Sequence, residues 1–273
     1  MLRIHSVEQI NDPRLLPYRT MREQEDHQQQ KIFVAEGDKV LRRLFETKME
    51  IISVLLPAKW VESLAPALES RPEKIDVFVA SKEIIEKLVG FHVHQGVMAL
   101  AKIPASQSLP SVLEKSANPR LFVAVDGLSG VENLGVLIRN AVAFGAQAII
   151  LGPTSNHPYL RRSVRSSMGT IFKLPFIEAE NLAATLKLLR AQKVRCIAAH
   201  PHTDRKWLWQ TDLTSDCCIV LGSEGVGISP EVLEACDEAV AIPMSSEVDS
   251  LNVASAAAAF FYEAKRQRVG IKS

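Results

Sequence analysis

Short apolar runs alternate with longer amphipathic stretches through the second half of the chain. The apolar runs lie at 121–125, 148–151, 195–199, 218–221 and 239–242. Helical spacing of apolar residues is found at 134–144, 182–192, 230–236 and 253–268. Strands that are covered by helices on both faces are apolar along their whole length, as these runs are. The pattern therefore predicts an α/β fold with a mostly parallel sheet.

A smaller α/β unit is predicted ahead of this region. Strands are expected at 51–56, 75–80 and 96–103, and helices at 61–68 and 82–88. Residues 1–20 are expected to be irregular because two prolines interrupt them, whereas 21–45 predicts a helix with a break at Glu36-Gly37. We therefore expect a small α/β domain over 1–104, a linker over 105–119 with a helical turn at 111–115, and a second domain over 120–273.

Composition narrows the functional classes only slightly. The chain has 273 residues and a formal net charge of +1, so any nucleic-acid surface must be local, and an enzyme acting on a small molecule stays open. The four cysteines show no C-x-x-C spacing, which favours reduced core residues of a cytoplasmic protein. We expect neither a signal peptide nor a membrane span. The seven histidines are scattered, so no metal site is expected.

The polar loop after the apolar run at 121–125 contains Asn133 and leads into a helix that carries Arg139. Gly127, Gly130 and Gly135 do not have G-x-G-x-x-G spacing, so the dinucleotide fingerprint is absent and an oxidoreductase is disfavoured. The first N–H groups of a helix bind anions, and a guanidinium binds phosphate through two hydrogen bonds. We expect a phosphate here, with a surface ion pair as the alternative for Arg139.

A second loop, Leu221-Gly-Ser-Glu-Gly-Val-Gly-Ile228, directly follows the apolar run at 218–221. Gly222 and Gly225 leave room for a ligand against bare backbone. Glu224 is expected to hold a donor group of the substrate or to orient Arg139. Glycine-rich turns also form without any ligand, and the specific feature here is the position directly after a buried strand.

A third segment joins the end of the last apolar run, Ile242-Pro-Met244, to Ser250-Leu-Asn-Val-Ala-Ser255 at the start of the last helix. The apolar side chains of Ile242, Met244 and Leu251 are suited to enclose an adenine ring. Ser250 or Asn252 could instead cap the helix, and one residue can both cap a helix and contact a ligand.

The order and spacing of the three segments resemble the signature motifs of the SpoU/TrmH family of RNA ribose methyltransferases, within the SPOUT class. The resemblance implies a C-terminal α/β trefoil-knot domain, S-adenosyl-L-methionine as methyl donor, and a homodimer. It implies catalytic roles for Asn133, Arg139, Glu224, Ser250 and Asn252. It implies cofactor contacts from Leu221, Gly222, Gly225, Ile242, Met244, Leu251, Asn252 and Ala254. The family commonly has proline two residues before the asparagine, where this chain has Val131.

Two further regions resemble parts of the same family. Phe33-Val-Ala-Glu-Gly37 and His94-Gln-Gly-Val-Met98 are similar to strings of the substrate-binding domain that many SpoU enzymes carry. A stretch at 159–170 resembles a family segment near the active site. We predict RNA contacts there, with a solvated helix face as the alternative, for Arg161, Arg162, Arg165 and Ser167.

The sequence thus predicts transfer of a methyl group to a ribose 2′-hydroxyl of RNA. Ribosomal RNA is favoured over transfer RNA only by analogy with family members that carry this N-terminal domain. A non-catalytic RNA-binding assembly factor is the alternative from another class. Two roles stay open for Arg139, either accepting the hydroxyl proton or positioning a phosphate, because a guanidinium that already carries its proton is a poor proton acceptor.

Overall fold

The protein, described here from a computed structural model, is defined for residues 2–201, 206–245 and 247–269. The strands are β1 Leu2–Ser6, β2 Ile32–Glu36, β3 Ile51–Leu56, β4 Ile75–Val79, β5 Met98–Lys102, β6 Leu121–Val125, β7 Ala148–Leu151, β8 Phe176–Glu178, β9 Arg195–Ala199, β10 Cys217–Leu221 and β11 Glu238–Val240. The helices are α1 Leu16–Arg19, α2 Gln24–Gln29, α3 Asp38–Phe45, α4 Val61–Glu69, α5 Lys82–Val89, α6 Leu109–Lys115, α7 Val131–Phe144, α8 Arg161–Ser166, α9 Leu182–Ala191, α10 Pro230–Glu234 and α11 Val253–Arg268.

The described residues divide into two compact units. Unit 1 comprises the residues up to Ala105 together with Pro158–Phe172, and unit 2 comprises Ser106–His157 with the residues from Lys173 onward. The sequence placed 158–172 in the second domain, whereas its helix α8 lies against strand β2 of unit 1. The division into a substrate-binding domain, a linker and a methyltransferase domain stays a prediction.

Unit 1 contains a five-stranded mixed sheet with the order β1-β4-β3-β5-β2. Strands β1, β4 and β3 are parallel, and β5 runs antiparallel to both β3 and β2. The predicted strands β3, β4 and β5 and the predicted helices α4 and α5 are confirmed. One core cluster includes the buried side chains of Leu15, Tyr18, Leu55, Ile85 and Met98.

Two strands of unit 1 contradict the sequence predictions. Residues 2–6 were expected to be irregular but form β1, because the interrupting prolines follow the strand and an edge strand needs only β4 as a partner. The helix predicted from residue 21 stops before Lys31, whose φ is +52°, and Ile32–Glu36 forms the fully buried strand β2. β-Branched and aromatic side chains at Ile32, Phe33 and Val34 favour the strand.

Unit 2 contains a six-stranded sheet, all parallel, with the order β11-β9-β10-β6-β7-β8. The mostly parallel α/β fold is therefore confirmed, and every residue of β6, β7 and β10 is buried, as expected for strands covered on both faces. The three-residue strand β8 was not predicted. The trefoil knot stays a prediction.

The strand order of unit 2 also indicates where a ligand would bind. The chain runs from β6 outward to β7 and β8, and then crosses to the other side of β6, where β9 forms first, β10 next fills the place between β9 and β6, and β11 is added at the edge. In open parallel sheets, ligands bind beyond the carboxyl ends of strands where the order reverses. The loops after β6 and β10 meet at such a point. Within the described ranges, none of the helices has the length and hydrophobicity that a membrane span requires.

Candidate active site

A cavity of about 240 Å³ lies beyond the carboxyl ends of β9, β10 and β11. One wall is the loop after β10, and another is formed by the segment that leads into α11. The lining residues are Ala199, His200, Pro201, Leu221, Gly222, Ser223, Glu224, Gly225, Val226, Gly227, Ile228, Val240, Ile242, Met244, Asp249, Ser250, Leu251, Val253, Ala256 and Phe260. The second and third sequence motifs therefore face the same space.

The loop after β10 is a tight turn closed by its own backbone. The N–H of Ser223 donates to the carbonyl of Gly227 at 3.0 Å, and the N–H of Gly227 donates back at 3.0 Å. Gly227 has φ +75°, which favours glycine. A Cβ at Gly222 would overlap the backbone of Gly227 and Ile228. Bare backbone at Gly222 is therefore required for the turn itself.

Asp126, at the end of β6, holds this loop in place. Its carboxylate Oδ2 accepts a hydrogen bond from the N–H of Ser229 at 2.8 Å, and its own N–H donates to the carbonyl of Leu221 at 2.8 Å. Both ends of the glycine-rich loop are thus fixed to the strand that starts the first motif.

Three predicted catalytic residues, one from each motif, are hydrogen-bonded to one another. Asn133 Nδ2 and Asn252 Nδ2 both donate to Oε1 of Glu224, the second at 3.0 Å. Asn252 Nδ2 also lies 3.1 Å from Oδ1 of Asn133, which accepts from it. We call Asn133, Glu224 and Asn252 the amide–carboxylate triad. Residues more than a hundred positions apart in the sequence therefore form one polar cluster beside the cavity.

The carboxylate of Glu224 is held without a cation among its described contacts. Asn133 lies in the first turn of α7 and Asn252 is the N-cap of α11, so the carboxylate lies beside the amino-terminal ends of two helices. Helix amino termini stabilise negative charge. The first turn of α7, where a phosphate was expected, therefore adjoins this carboxylate. Among described residues, the cavity lining contains Glu224 and Asp249 but neither lysine nor arginine.

Arg139 is not part of the triad. It is exposed on α7, six residues beyond Asn133, which places it about 9 Å along the helix and about 240° around it. Within the described part of the chain, its guanidinium makes no hydrogen bond, ion pair or ring contact. The predicted orientation of Arg139 by Glu224 is not observed, because the two asparagine amides bond that carboxylate.

The predicted cofactor residues divide into two groups. The cavity is lined by Leu221, Gly222, Gly225, Ile242, Met244 and Leu251, and also by the predicted catalytic residue Ser250. Ala254 lies elsewhere: it is buried, and its carbonyl accepts a hydrogen bond from Asn140 Nδ2 at 2.9 Å where α11 meets α7. Asn252 lies outside the lining too, but its Oδ1 caps α11 by accepting from the Ala254 N–H at 3.0 Å. Capping and membership of the triad are thus combined in Asn252.

Sequence reasoning missed one wall of the cavity. Ala199, His200 and Pro201 follow β9, and Ala256 and Phe260 face the cavity from α11. The position of Ala199 at the carboxyl end of a predicted strand was an available signal, because neighbouring parallel strands end at the same edge. The contribution of α11 depends on how that helix packs, which its sequence does not specify.

The predicted RNA-contacting residues lie on or next to α8, in unit 1, and differ in exposure. Arg162 and Arg165 are exposed, whereas Arg161 is largely covered and bonded to Glu36. Ser167 is fully buried, and its hydroxyl donates to the carbonyl of Val164 at 2.8 Å. The side chain of Ser167 therefore shapes the turn after α8 and does not face a ligand in this conformation.

Metal binding and thiol chemistry both find little support in the described residues. No group of three His, Cys, Asp or Glu side chains is arranged there to hold a metal ion. The four cysteines are free thiols. Burial raises the pKa of Cys217 to about 11 and that of Cys236 to about 12, so these thiols stay protonated near neutral pH.

Comparison with known proteins agrees with the three motifs. The model of the SpoU rRNA Methylase family matches residues 120–262. The chain is 34% identical over 206 residues to the 23S rRNA (guanosine-2′-O-)-methyltransferase RlmB of Pectobacterium atrosepticum, covering 74% of this chain and 83% of that protein. It is 30% identical over 239 residues to an uncharacterized tRNA/rRNA methyltransferase of Mycobacterium tuberculosis, covering 86% of this chain and 81% of that protein.

The fold is shared with a solved structure over nearly its whole length. The SpoU methyltransferase AviRb from Streptomyces viridochromogenes, in complex with AdoMet, superposes with a TM-score of 0.83 at 23% identity. The alignment covers 96% of this chain and all of AviRb. The chain therefore belongs to the SpoU rRNA methylase family.

Proposed function

We propose that this protein is an S-adenosyl-L-methionine-dependent RNA methyltransferase that methylates a ribose 2′-hydroxyl, with ribosomal RNA as substrate. The observation that carries the proposal is the amide–carboxylate triad, which joins all three family motifs at the edge of one cavity. Family membership and the named activity of the relative RlmB support the reaction and the class of RNA. A non-catalytic RNA-binding protein would have no need of this assembled triad.

The cavity fits the methyl donor on two grounds. Ile242, Met244 and Leu251 provide apolar surface for an adenine. The carboxylates of Glu224 and Asp249, without a cation in the described lining, suit a ligand that carries positive charge. When bound, S-adenosyl-L-methionine would supply a methyl group carried on a positively charged sulfur, for transfer to the ribose oxygen as the carbon–sulfur bond breaks.

The protein's residues then have to position the ribose and handle one proton. Asn133 and Asn252 fix Glu224 beside the cavity before substrate arrives, so little reorganisation accompanies the reaction. Arg139, exposed and without a described partner, either accepts the 2′-hydroxyl proton or binds the adjoining phosphate while a phosphate oxygen or water accepts it. The second role suits an arginine better, because a guanidinium that already carries its proton is a poor proton acceptor.

We further propose that the enzyme is a homodimer that works in the cytoplasm. Helices α7 and α11 pack together and leave apolar side chains exposed, including Val136 on α7 and Tyr262, which is 57% exposed, on α11. Arg139 is exposed on the same α7. Light scattering of the full-length protein and of the variant Tyr262→Glu tests the dimer. A monomeric mass for both proteins would contradict it. Ribosomal RNA as substrate and the free cysteines support the location.

Transfer of tritium from labelled S-adenosyl-L-methionine to total RNA from a strain lacking the gene tests the reaction. We expect label in ribosomal RNA, at a ribose that becomes resistant to alkaline cleavage on its 3′ side. Arg139→Ala serves as the inactive control, since an exposed side chain without a described partner is not needed for folding. Label confined to transfer RNA would replace the substrate. Heat of binding to RNA but none to the methyl donor would favour the non-catalytic alternative.

A further inference from the structure

Glu36, the last residue of β2, is a buried carboxylate with two arginine partners. It is 6% exposed, and its Oε2 lies 2.5 Å from Nη1 of Arg161. Its other oxygen, Oε1, lies 3.2 Å from Nη1 of Arg165. Both arginines are on α8, which lies against β2 within unit 1. Each carboxylate oxygen therefore pairs with a different guanidinium, Oε2 through a hydrogen bond to Arg161 and Oε1 through an ion pair with Arg165.

The two arginines have different surroundings. The side chain of Arg161 is 13% exposed, and its guanidinium also lies 4.8 Å from the ring centroid of Phe91. Arg161 is thus enclosed by an anion and an aromatic ring, the usual surroundings of a buried cation. The side chain of Arg165 is 54% exposed and touches Glu36 through one terminal nitrogen. Most of its five N–H donors remain available to solvent or a ligand.

Charge neutrality requires only one of these cations. A buried carboxylate needs one close, well-bonded positive charge, and Arg161 supplies it at 2.5 Å. Arg165 is therefore in excess, and a third guanidinium, Arg22, lies 4.8 Å from the same ring centroid of Phe91. Arg161 and Arg165 at Glu36, with Arg22 at the neighbouring Phe91 ring, give this surface more positive charge than one carboxylate balances, which suits a phosphodiester.

We propose that Glu36 is a positioning residue for RNA: it fixes the guanidinium of Arg165 so that the remaining donors bind a backbone phosphate of the substrate. Arg161 is then an internal counter-ion and not an RNA contact. This inference rests on the proposed function for the identity of the ligand. Under this proposal a buried acidic residue favours RNA binding, although its negative charge alone would weaken that binding.

The sign of the effect makes the proposal testable. Removing a carboxylate from an RNA-binding surface should strengthen binding if only net charge matters, because the surface becomes more positive. If Glu36 positions Arg165, Glu36→Gln should instead weaken binding by about five-fold and lower the slope of log affinity against log salt by about 0.7–0.9, the value for one phosphate contact. Arg165→Ala should have the same two effects.

The measurement is filter binding of the full-length protein to total RNA from a strain lacking the gene, at about 50 to 200 mM salt. The double variant Glu36→Gln, Arg165→Ala should bind like Arg165→Ala alone, since each of the two changes removes the same phosphate contact. Methyl transfer should show a raised KM for RNA and a kcat within about two-fold of wild type. Asp38→Asn is the matched control: it removes a nearby carboxylate that bonds Arg42 at 2.7 Å, and RNA affinity should stay the same or rise.

Three outcomes would overturn the inference: folded Glu36→Gln that binds RNA as tightly as wild type, losses that add in the double variant, or an unchanged salt slope for Arg165→Ala. If circular dichroism shows that Glu36→Gln is unfolded, Glu36→Asp replaces it. Aspartate keeps the charge but withdraws it by one methylene, and the same loss of affinity is expected. Wild-type protein that transfers no methyl group would overturn the proposed function itself, whereas normal transfer with unchanged Glu36 variants would overturn only this inference.

Discussion

Asn252 combines a helix cap with the amide–carboxylate triad, and two substitutions separate these contributions. Its Oδ1 accepts the N–H of Ala254 at 3.0 Å, while its Nδ2 donates to Asn133 and Glu224 at 3.1 and 3.0 Å. Serine caps a helix about as well as asparagine but has no amide to reach the triad. Asn252→Ser therefore removes the triad bonds alone, and Asn252→Ala removes both.

The magnitudes follow from exposure. Asn252 and Glu224 are exposed, so we assign about 0.5 kcal/mol to each of the two Nδ2 bonds. Replacing the N-cap by alanine costs about 1 kcal/mol. Asn252→Ser should then lose about 1 kcal/mol of the free energy of unfolding and Asn252→Ala about 2 kcal/mol. At about 2–4 °C per kcal/mol for a domain of this size, the alanine variant should unfold a few degrees below the serine variant.

Calorimetry measures the two Tm values, and tritium transfer at saturating RNA measures kcat. We expect both variants to lose about ten-fold or more in kcat, because Glu224 is no longer fixed from the side of α11. The reasoning is refuted if Asn252→Ser unfolds at the same temperature as Asn252→Ala, since the cap then contributes nothing. Wild-type turnover by the serine variant would show that catalysis does not depend on the triad.

Three further predictions concern other parts of the chain. Arg71→Ala should lower the free energy of unfolding by about 3–5 kcal/mol, because the buried guanidinium donates hydrogen bonds to three backbone carbonyls and to Glu73. Urea titration measures this loss, and a value below about 1 kcal/mol would contradict the prediction. Val131→Pro should raise Tm by about 2 °C with turnover retained. Position 131 is the first residue of α7, and the preceding Gly130 already has an extended backbone with ψ 99°, so both positions accept a proline. A lower Tm would show that the N–H of Val131 is needed. The folded protein at pH 8 should react only slowly with a thiol reagent, because burial raises the pKa of Cys217 to about 11 and also raises the pKa values of Cys218 and Cys236. All four cysteines should react after denaturation, and rapid labelling of the native protein would refute this.

The sequence predicted the parallel sheet well because burial on both faces leaves a strong signal. Runs such as Leu121–Val125 are apolar at every position, and little else in a chain of this composition produces them. Sequence patterns that are shorter or of mixed polarity did not predict the strands that they form. Strand β1 has an exposed edge and mixed polarity, and β8 has three residues, so neither differs clearly from a loop.

The candidate site was predictable in its residue types but not in its pairing. Glycines and small polar residues after strands marked the loops, yet the bonding of Glu224 by two asparagines depends on how α7 and α11 approach each other. Ala254 followed the motif by position but faces Asn140 in the helix contact. The sequence marked Glu36 only as part of the Phe33–Gly37 string and gave it no role of its own, because its arginine partners are more than a hundred residues away.

The crowding around Gly222 has a consequence for variation of this enzyme. A library randomised at this codon should return only glycine among active clones, because even a methyl group would overlap the backbone of Gly227 and Ile228. Gly225, three residues later in the same turn, has open space where its side chain would be, and a parallel library there should return alanine and serine as well. Neighbouring glycines of one short string should thus differ sharply in the diversity that selection tolerates.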